Sequence, residues 1–329
     1  MVTRHTQHNI RFQGFIAAAG VLLFVIKILA WQLTRSDAVF SDAMESIVNI
    51  LAAFMGLYSL ALAAKPRDSE HPYGHGKVEF ITSGVEGVLI MVAGVIIIVQ
   101  SIVSLLQENV PHQLEWGMLL IGGTAVINYI LGHLSWKRGV RQNSLVLQSS
   151  GKHLKTDTLT TLALVLGLLL VHVTGWNWAD AVLATGFAVY IIFSGYRILR
   201  RALSGIMDEA DETLLEDLAV MLEEHRKPQW IDLHNVRIQQ HGSRLHIDAH
   251  MTLPWYYELR RAHQELEEVY QLIGANASRP VELNFHIDDC RKISCSICTM
   301  QNCPVRQLSL KKKIPWTSET LSQHRKHGL

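Results

Sequence analysis

The sequence predicts an α-helical membrane protein: a six-transmembrane-helix bundle followed by a C-terminal cytoplasmic α/β domain of αββαβ order, an open-faced sandwich. Three observations carry that expectation. The 329-residue chain is 49% hydrophobic with a mean hydropathy of +0.16, too apolar for an ordinary water-soluble globule. Its long apolar runs fall almost entirely before Arg200. Beyond that point, charged and apolar residues alternate with the periods of amphipathic helices and half-buried strands.

A membrane-crossing helix needs about 20 largely apolar residues. Six stretches qualify: Phe15 to Leu33, Ala38 to Ala64, Phe80 to Leu106, Trp116 to Leu134, Ser144 to Val173 and Ala179 to Ile198. The first is read as a retained span, not a signal peptide, because a second span follows at once. Arg4, Arg11, Lys65, Arg67, Lys77, Lys137, Arg138 and Arg141 fall on one side of these spans, and Arg35 falls on the other. Basic loops stay cytoplasmic. The expectation is therefore a multi-pass protein of the cytoplasmic (inner) membrane with both termini in the cytoplasm. The expected divisions are 1–208 for a six-helix transmembrane domain, 209–289 for a cytoplasmic αββαβ domain and 290–329 for a cysteine-rich segment and basic tail.

Ionisable groups in hydrocarbon cost about 2.5–3.5 kcal/mol each on insertion scales, which makes them candidates for function. The second span carries Asp42, Glu45 and Asn49, and the fifth carries His153 and Asp157. Glu45 and Asn49 are four apart, as are His153 and Asp157, so each pair projects from one helix face about a turn apart. Depth counting at 1.5 Å per residue leaves the two pairs unlevel unless the helices tilt. One imidazole, two carboxylates and an amide oxygen suit a borderline dication in tetrahedral geometry, Zn(II) first, with Fe(II), Co(II), Cd(II) and Mn(II) as other candidates. An imidazole can also exchange a metal for a proton near neutral pH. The alternative is that these groups form an interhelical hydrogen-bond cluster holding the bundle together.

Asp68, His71 and His75 lie within eight residues of one another in the second loop, beside Gly74 and Gly76. They read as a second metal site or as simple solvated polarity. After Arg200, Leu214 to His225 forms an amphipathic helix, Ile231 to Gln240 and Leu245 to Leu253 pair around a turn at 241–243, Pro254 opens a helix to about Leu272, and Val281 to Ile287 is the last strand. All four cysteines, Cys290, Cys295, Cys298 and Cys303, fall in one C-x4-C-x2-C-x4-C run. In a reduced compartment this reads as a thiolate knuckle for structural Zn(II), ahead of an iron–sulfur cluster, with four unliganded thiols as the alternative. The segment from Leu308 onward, with Lys311, Lys312 and Lys313, reads as a mobile, solvated tail. No G-x-x-x-x-G-K-[ST] loop and no hydrolytic nucleophile arrangement occurs, so neither ATP-driven pumping nor enzymatic catalysis is expected. Nothing in the sequence points to nucleic acid.

The motifs M-E-S-I-V-N at 44–49, K-P-R-D-S-E-H-P-Y-G-H-G-K-V-E at 65–79 and H-L-K-T-D at 153–157 resemble those of the cation diffusion facilitator family, over a region running from Phe12 to Asp289. The resemblance implies a homodimeric, proton-coupled antiporter for efflux of a divalent transition metal. It maps the transport cage to Glu45, Asn49, His153 and Asp157, and a second site to Asp68, His71 and His75. Regulatory metal positions near a dimer contact fall on His234, His250, His263, His286 and Asp288, and a dimer-locking ion pair falls on Lys77 and Asp208. The family usually has Asp or His where Glu45 stands and Asp where Asn49 stands, so the metal is not carried over. The alternative expectation is a membrane-bound metal sensor or scaffold whose transport site is impaired by Asn49. The cysteine run is absent from many family members.

Overall fold

The computed structural model describes residues 4–34, 37–107, 114–174, 176–242, 244–277 and 279–328; Arg35 and Ser243 lie outside them. The chain divides into two compact units, residues 1–207 and 208–329.

The first unit contains six long helices: α1 (Arg4–Thr34), α2 (Asp37–Ala63), α3 (Val78–Gln107), α4 (Leu114–Gln142), α5 (Leu145–Thr174) and α6 (Asn177–Ile206). At 1.5 Å per residue they reach about 40–47 Å, more than the hydrocarbon thickness of a bilayer. Among the described residues, Arg11–Thr34, Val78–Val103, Glu115–Gln142 and Val146–Leu170 are long and apolar enough to cross a membrane, and Asn49–Ala63 is a shorter apolar stretch. The apolar side chains point outward: Leu22 and Val126 are 62% and 61% exposed. Such a surface is stable only against lipid.

Helix α3 packs along α6, α4 along α5, and α1 along α2, with α5 also touching α2, α3 and α6. Small residues permit the close crossings. A Cβ on Gly87 would lie 2.8 Å from the Leu199 backbone nitrogen and 2.9 Å from the Gly195 carbonyl, so the α3–α6 contact requires glycine there. Helix α4 continues well past the expected end at Leu134. Its last turns carry Lys137, Arg138 and Arg141, expected in a loop, and the Arg138 guanidinium sits 4.8 Å over the Phe12 ring. Cation–π contact and snorkelling let basic residues extend a helix beyond its apolar core.

The second unit runs α7 (Glu212–Glu224), β1 (Asp232–His241), β2 (Arg244–Leu253), α8 (Leu259–Asn276), β3 (Val281–Asp289), a 3-10 turn (Lys292–Ser296) and the short α9 (Ser318–Leu321). Asp211 caps α7 by accepting from the Leu214 N–H at 3.2 Å. Strand β2 is central, antiparallel to β1 and parallel to β3. Alternation sends Ile247, Ala249, Met251 and Leu253 into a core with Leu222, Leu266 and Val269 of the helices. His246, Asp248 and His250 fall on the opposite face. The register aligns His234 with His250 and His250 with His286, a row of three imidazoles across the sheet.

Two expectations are corrected here. Helix α8 opens at Leu259, not at Pro254, because residues 254–257 close a turn in which the Tyr257 N–H donates to the Pro254 carbonyl at 3.0 Å. The segment after Leu308 is not a solvated tail. Trp316 and Leu321 are buried in the core of the unit, Arg226 stacks on Trp316 at 4.2 Å, and His327 reaches buried Asp232. Burying two large apolar side chains and a stacked cation outweighs the cost of ordering the segment.

Candidate metal centres

Helix α5 presents Ser149, His153, Asp157 and Thr161, spaced four apart and all buried. Four residues on a helix return nearly to the same face, so these make one slowly winding polar stripe about 18 Å long. Asn49 of α2 meets its middle: its Nδ2 donates to Asp157 Oδ2 and its Oδ1 pairs with His153 Nε2. With the amide oxygen as acceptor, His153 donates from Nε2, leaving Nδ1 as a lone pair. That Nδ1 lies 3.7 Å from Asp157 Oδ1, and neither atom has a hydrogen-bond partner among the described residues. An imidazole lone pair and a carboxylate oxygen thus converge where a cation would satisfy both. Asn49, His153 and Asp157 are brought together. The Glu45 side chain lies outside the described residues.

Groups that the sequence reading did not single out flank this centre. On one side Lys27 of α1, 1% exposed, pairs with Asp42 Oδ1 at 3.0 Å, and the Thr161 hydroxyl lies 3.1 Å from the same oxygen. On the other, Ser149 donates to Glu86 Oε2 of α3 at 2.7 Å, and Glu86 is 3% exposed. Lys27 offsets Asp42, while Asp157 and Glu86 have no lysine or arginine ion pair among the described residues. A dication would balance them. A lone charge within an otherwise apolar span is the signal that could have exposed Lys27 and Glu86.

In the loop between α2 and α3, Asp68, His71 and His75 bring one ligand atom each within 4.8 Å of one another. The Asp68 Oδ1 accepts from the His71 backbone N–H at 2.7 Å and lies 3.1 Å from its Nδ1, while Oδ2 is 3.4 Å from His75 Nε2. The backbone hydrogen bond, with the neighbouring imidazoles, holds the Asp68 carboxyl below its usual pKa. Gly74 turns the chain with φ 87, in the left-handed region. Lys77 closes this loop ahead of α3, its carbonyl accepting from the Phe80 N–H at 3.1 Å. Asp208, at φ 53, belongs to the second unit and accepts from Gln239 at 3.4 Å.

In the second unit His234, His250 and Asp288 form another such cluster. Asp288 lies 3.4 Å from His234 Nε2, 3.2 Å from His250 Nδ1 and 3.8 Å from His286 Nε2. His263 stands apart, exposed on α8. Three residues absent from the sequence reading extend the cluster. Lys326 Nζ is 3.3 Å from Asp288, and Asp232 binds His234 at 3.2 Å and His327 at 2.7 Å. Burial raises the Asp232 pKa, but hydrogen bonds from His234 and His327 outweigh it and hold this carboxyl well below the ordinary carboxylate range.

Cys290, Cys295, Cys298 and Cys303 line one small cavity of about 10 Å³ with Ile231, Pro254 and Arg306. The Trp255 N–H donates to Cys290 Sγ at 3.4 Å. Arg306 ties the loop by donating to the carbonyls of Cys295, Leu308, Cys298 and Met300 at 2.5–3.3 Å. Burial pushes the Cys290 and Cys298 thiols up. A thiolate-binding cation would reverse that.

Residues 15–207 match the family description of the cation efflux transmembrane domain, and residues 210–290 match the cation efflux protein cytoplasmic domain. The chain is 32% identical to an uncharacterized transporter of Synechocystis, across 78% of this chain and 83% of that one. It is 27% identical to the cation-efflux pump FieF of Shewanella oneidensis, across 75% and 82%. With the manganese efflux system protein MneP of Bacillus subtilis it shares 26% identity, across 82% and 92%. The six long helices, the three-stranded second unit and these matches together make the chain a member of the cation diffusion facilitator family of multi-pass membrane cation-efflux transporters.

Proposed function

We propose that the protein exports a divalent transition-metal ion across the cytoplasmic membrane in exchange for protons, working as a homodimer with both termini in the cytoplasm. Zn(II) is the leading substrate, with Fe(II), Co(II), Cd(II) or Mn(II) as alternatives. The name of the Bacillus relative, a manganese efflux protein, keeps Mn(II) in view. The observation that carries the reading is the pair of unpartnered ligand atoms, His153 Nδ1 and Asp157 Oδ1, facing each other at 3.7 Å inside the helix bundle.

In this reading Asn49, His153 and Asp157, with Glu45 one turn away on α2, hold the ion partway across. Protonation of the imidazole and carboxylate on the far side releases it. Asp68, His71 and His75 form a second metal site. His234, His250, His286 and Asp288 sense metal in the cytoplasmic part, with His263 at its margin, and Lys77 with Asp208 braces the dimer. The cysteine cavity holds structural Zn(II), which would stabilise the ionised thiolates that burial alone disfavours.

The test is Zn(II) uptake by proteoliposomes carrying the full chain under a pH gradient. His153→Ala and Asp157→Ala should each lower uptake by on the order of 10²-fold or more, since each removes a metal ligand outright. Wild-type uptake by either variant refutes the transport site.

A further inference from the structure

Lys152, Arg197 and Arg201 gather around one cavity at an end of the helix bundle, and none of the metal centres uses them. Lys152 lies two turns into α5, and the two arginines lie in the last three turns of α6, four residues apart on one face. The cavity sits between α3, α5 and α6 and has a volume of about 40 Å³, room for more than a single water. Phe80, Ser83 and Ser149 also line it; these three are buried, whereas the three cations are exposed at its rim.

The rim is short of an anion. No Asp or Glu is on the cavity wall, and among the described residues none of the three cations has a carboxylate within ion-pair distance. Like charges facing one hollow repel, and the repulsion grows where lipid and protein displace water. The polar groups of the floor are turned elsewhere. Ser149 donates inward to Glu86 at 2.7 Å and lies 3.3 Å from Ser83, and Gln148 donates to the Gly139 carbonyl at 3.2 Å. An occupant is therefore held from the rim. Arg197 is set for this, because its guanidinium stacks over the Phe193 ring at 4.3 Å, which fixes the planar fork. Two guanidinium forks and one ammonium match the oxygens of a phosphate group.

The position of the rim selects a lipid phosphate over a soluble one. Lys152 follows the start of α5, and Arg197 and Arg201 precede the end of α6, so at 1.5 Å per residue all three lie within about 14 Å of the helix ends. That is the depth at which headgroups meet acyl chains, and long basic side chains reach outward from it. Tyr190, Phe193, Arg197 and Arg201 share one face of α6, and Tyr190 and Phe193 are each 50% exposed. A basic end followed by an exposed aromatic stretch matches the head and tails of one lipid. We infer that this cavity binds the phosphate of an anionic phospholipid, whose acyl chains lie along α6 past Phe193. Seated there, the phosphate neutralises the three cations and ties α6 to α5. The inference requires only that the bundle lies in a membrane, and it is independent of which ion the protein carries.

The experiment is native mass spectrometry of the full chain in detergent with equal amounts of phosphatidylglycerol and phosphatidylcholine, whose phosphates are alike and whose net charges differ. Wild type should retain phosphatidylglycerol in preference to phosphatidylcholine, and the double variant Arg197→Gln, Arg201→Gln should lose that preference by on the order of 10-fold or more. Lys152→Gln, a single exposed change, should lower it several-fold and gives the reading should the double variant fail to fold. Lys137→Gln removes an exposed cation in the last turns of α4, at the same end of the bundle but away from the cavity, and should leave the preference at the wild-type level. A wild-type preference in Lys152→Gln or in the double variant overturns the inference. An equal loss in Lys137→Gln overturns it in favour of general surface charge. Release of bound phosphatidylglycerol by millimolar inorganic phosphate overturns it as well, because the occupant is then a free anion.

Discussion

The two units bury opposite things. In the first, leucines and valines such as Leu22 and Val126 face outward while Lys27, Glu86 and Asp157 are at most 3% exposed. In the second, Leu222 and Met251 are 1% exposed, and the imidazoles gather on the sheet face away from the helices. Each arrangement follows from its solvent. Lipid gives no reward for burying leucine, so the membrane unit spends its interior on polar groups, and a buried charge there marks a path. Water rewards an apolar core, so the second unit packs its leucines inward, and the charges it does bury, such as Asp232 and Glu265, are held by polar partners.

This contrast can be broken by placing like substitutions in the two units. The largest expected effect is Leu222→Ala, which should lower the stability of the second unit by about 2–5 kcal/mol, read as faster amide exchange across β2. Leu22→Ala in the membrane unit should cost no more than about 0.5 kcal/mol by the same measurement. Equal losses would erase the distinction.

A smaller effect tests the polar side of the second unit. Asp232→Asn should cost roughly 1–3 kcal/mol at neutral pH by weakening the bonds to His234 and His327. Because the folded-state pKa of Asp232 is depressed, its contribution is complete above the unfolded value of about 4 and is lost as pH falls toward the folded one. Wild type and variant should therefore converge in acid and separate at neutral pH. A constant gap would deny the carboxylate its role. More local than Asp232→Asn is Asp211→Ala, expected to cost about 1 kcal/mol and to fray only the first turn of α7 in an exchange experiment.

Much of this architecture is legible in the residues alone. Six apolar runs forecast six helices, alternation forecast three strands, and the four-residue spacing of His153 and Asp157 put both on one face. The partners of that face were only half legible. Asn49 carries a recognisable motif, but Glu86 and Lys27 stand singly in apolar runs, and their meeting with α5 is a matter of helix packing. Ser149 and Ser83 are invisible to any periodicity argument, because serine suits helix contacts of many kinds. The burial of residues 308–328 is not legible in the sequence, because Trp316 and Leu321 are isolated apolar residues in a polar stretch. Their burial depends on a groove that only the folded unit supplies.

The return of the chain's last residues to the sheet has a consequence for how the histidine row behaves. Asp288 offers its carboxylate to His234 and His250, yet Lys326 already holds one of its oxygens at 3.3 Å. A cation held there, as proposed above, would compete with a tethered ammonium, a latch whose strength depends on how firmly residues 316–328 are seated. By reciprocity, whatever loosened that latch would tighten ion binding at the imidazoles, and ion binding would loosen the latch by the same factor.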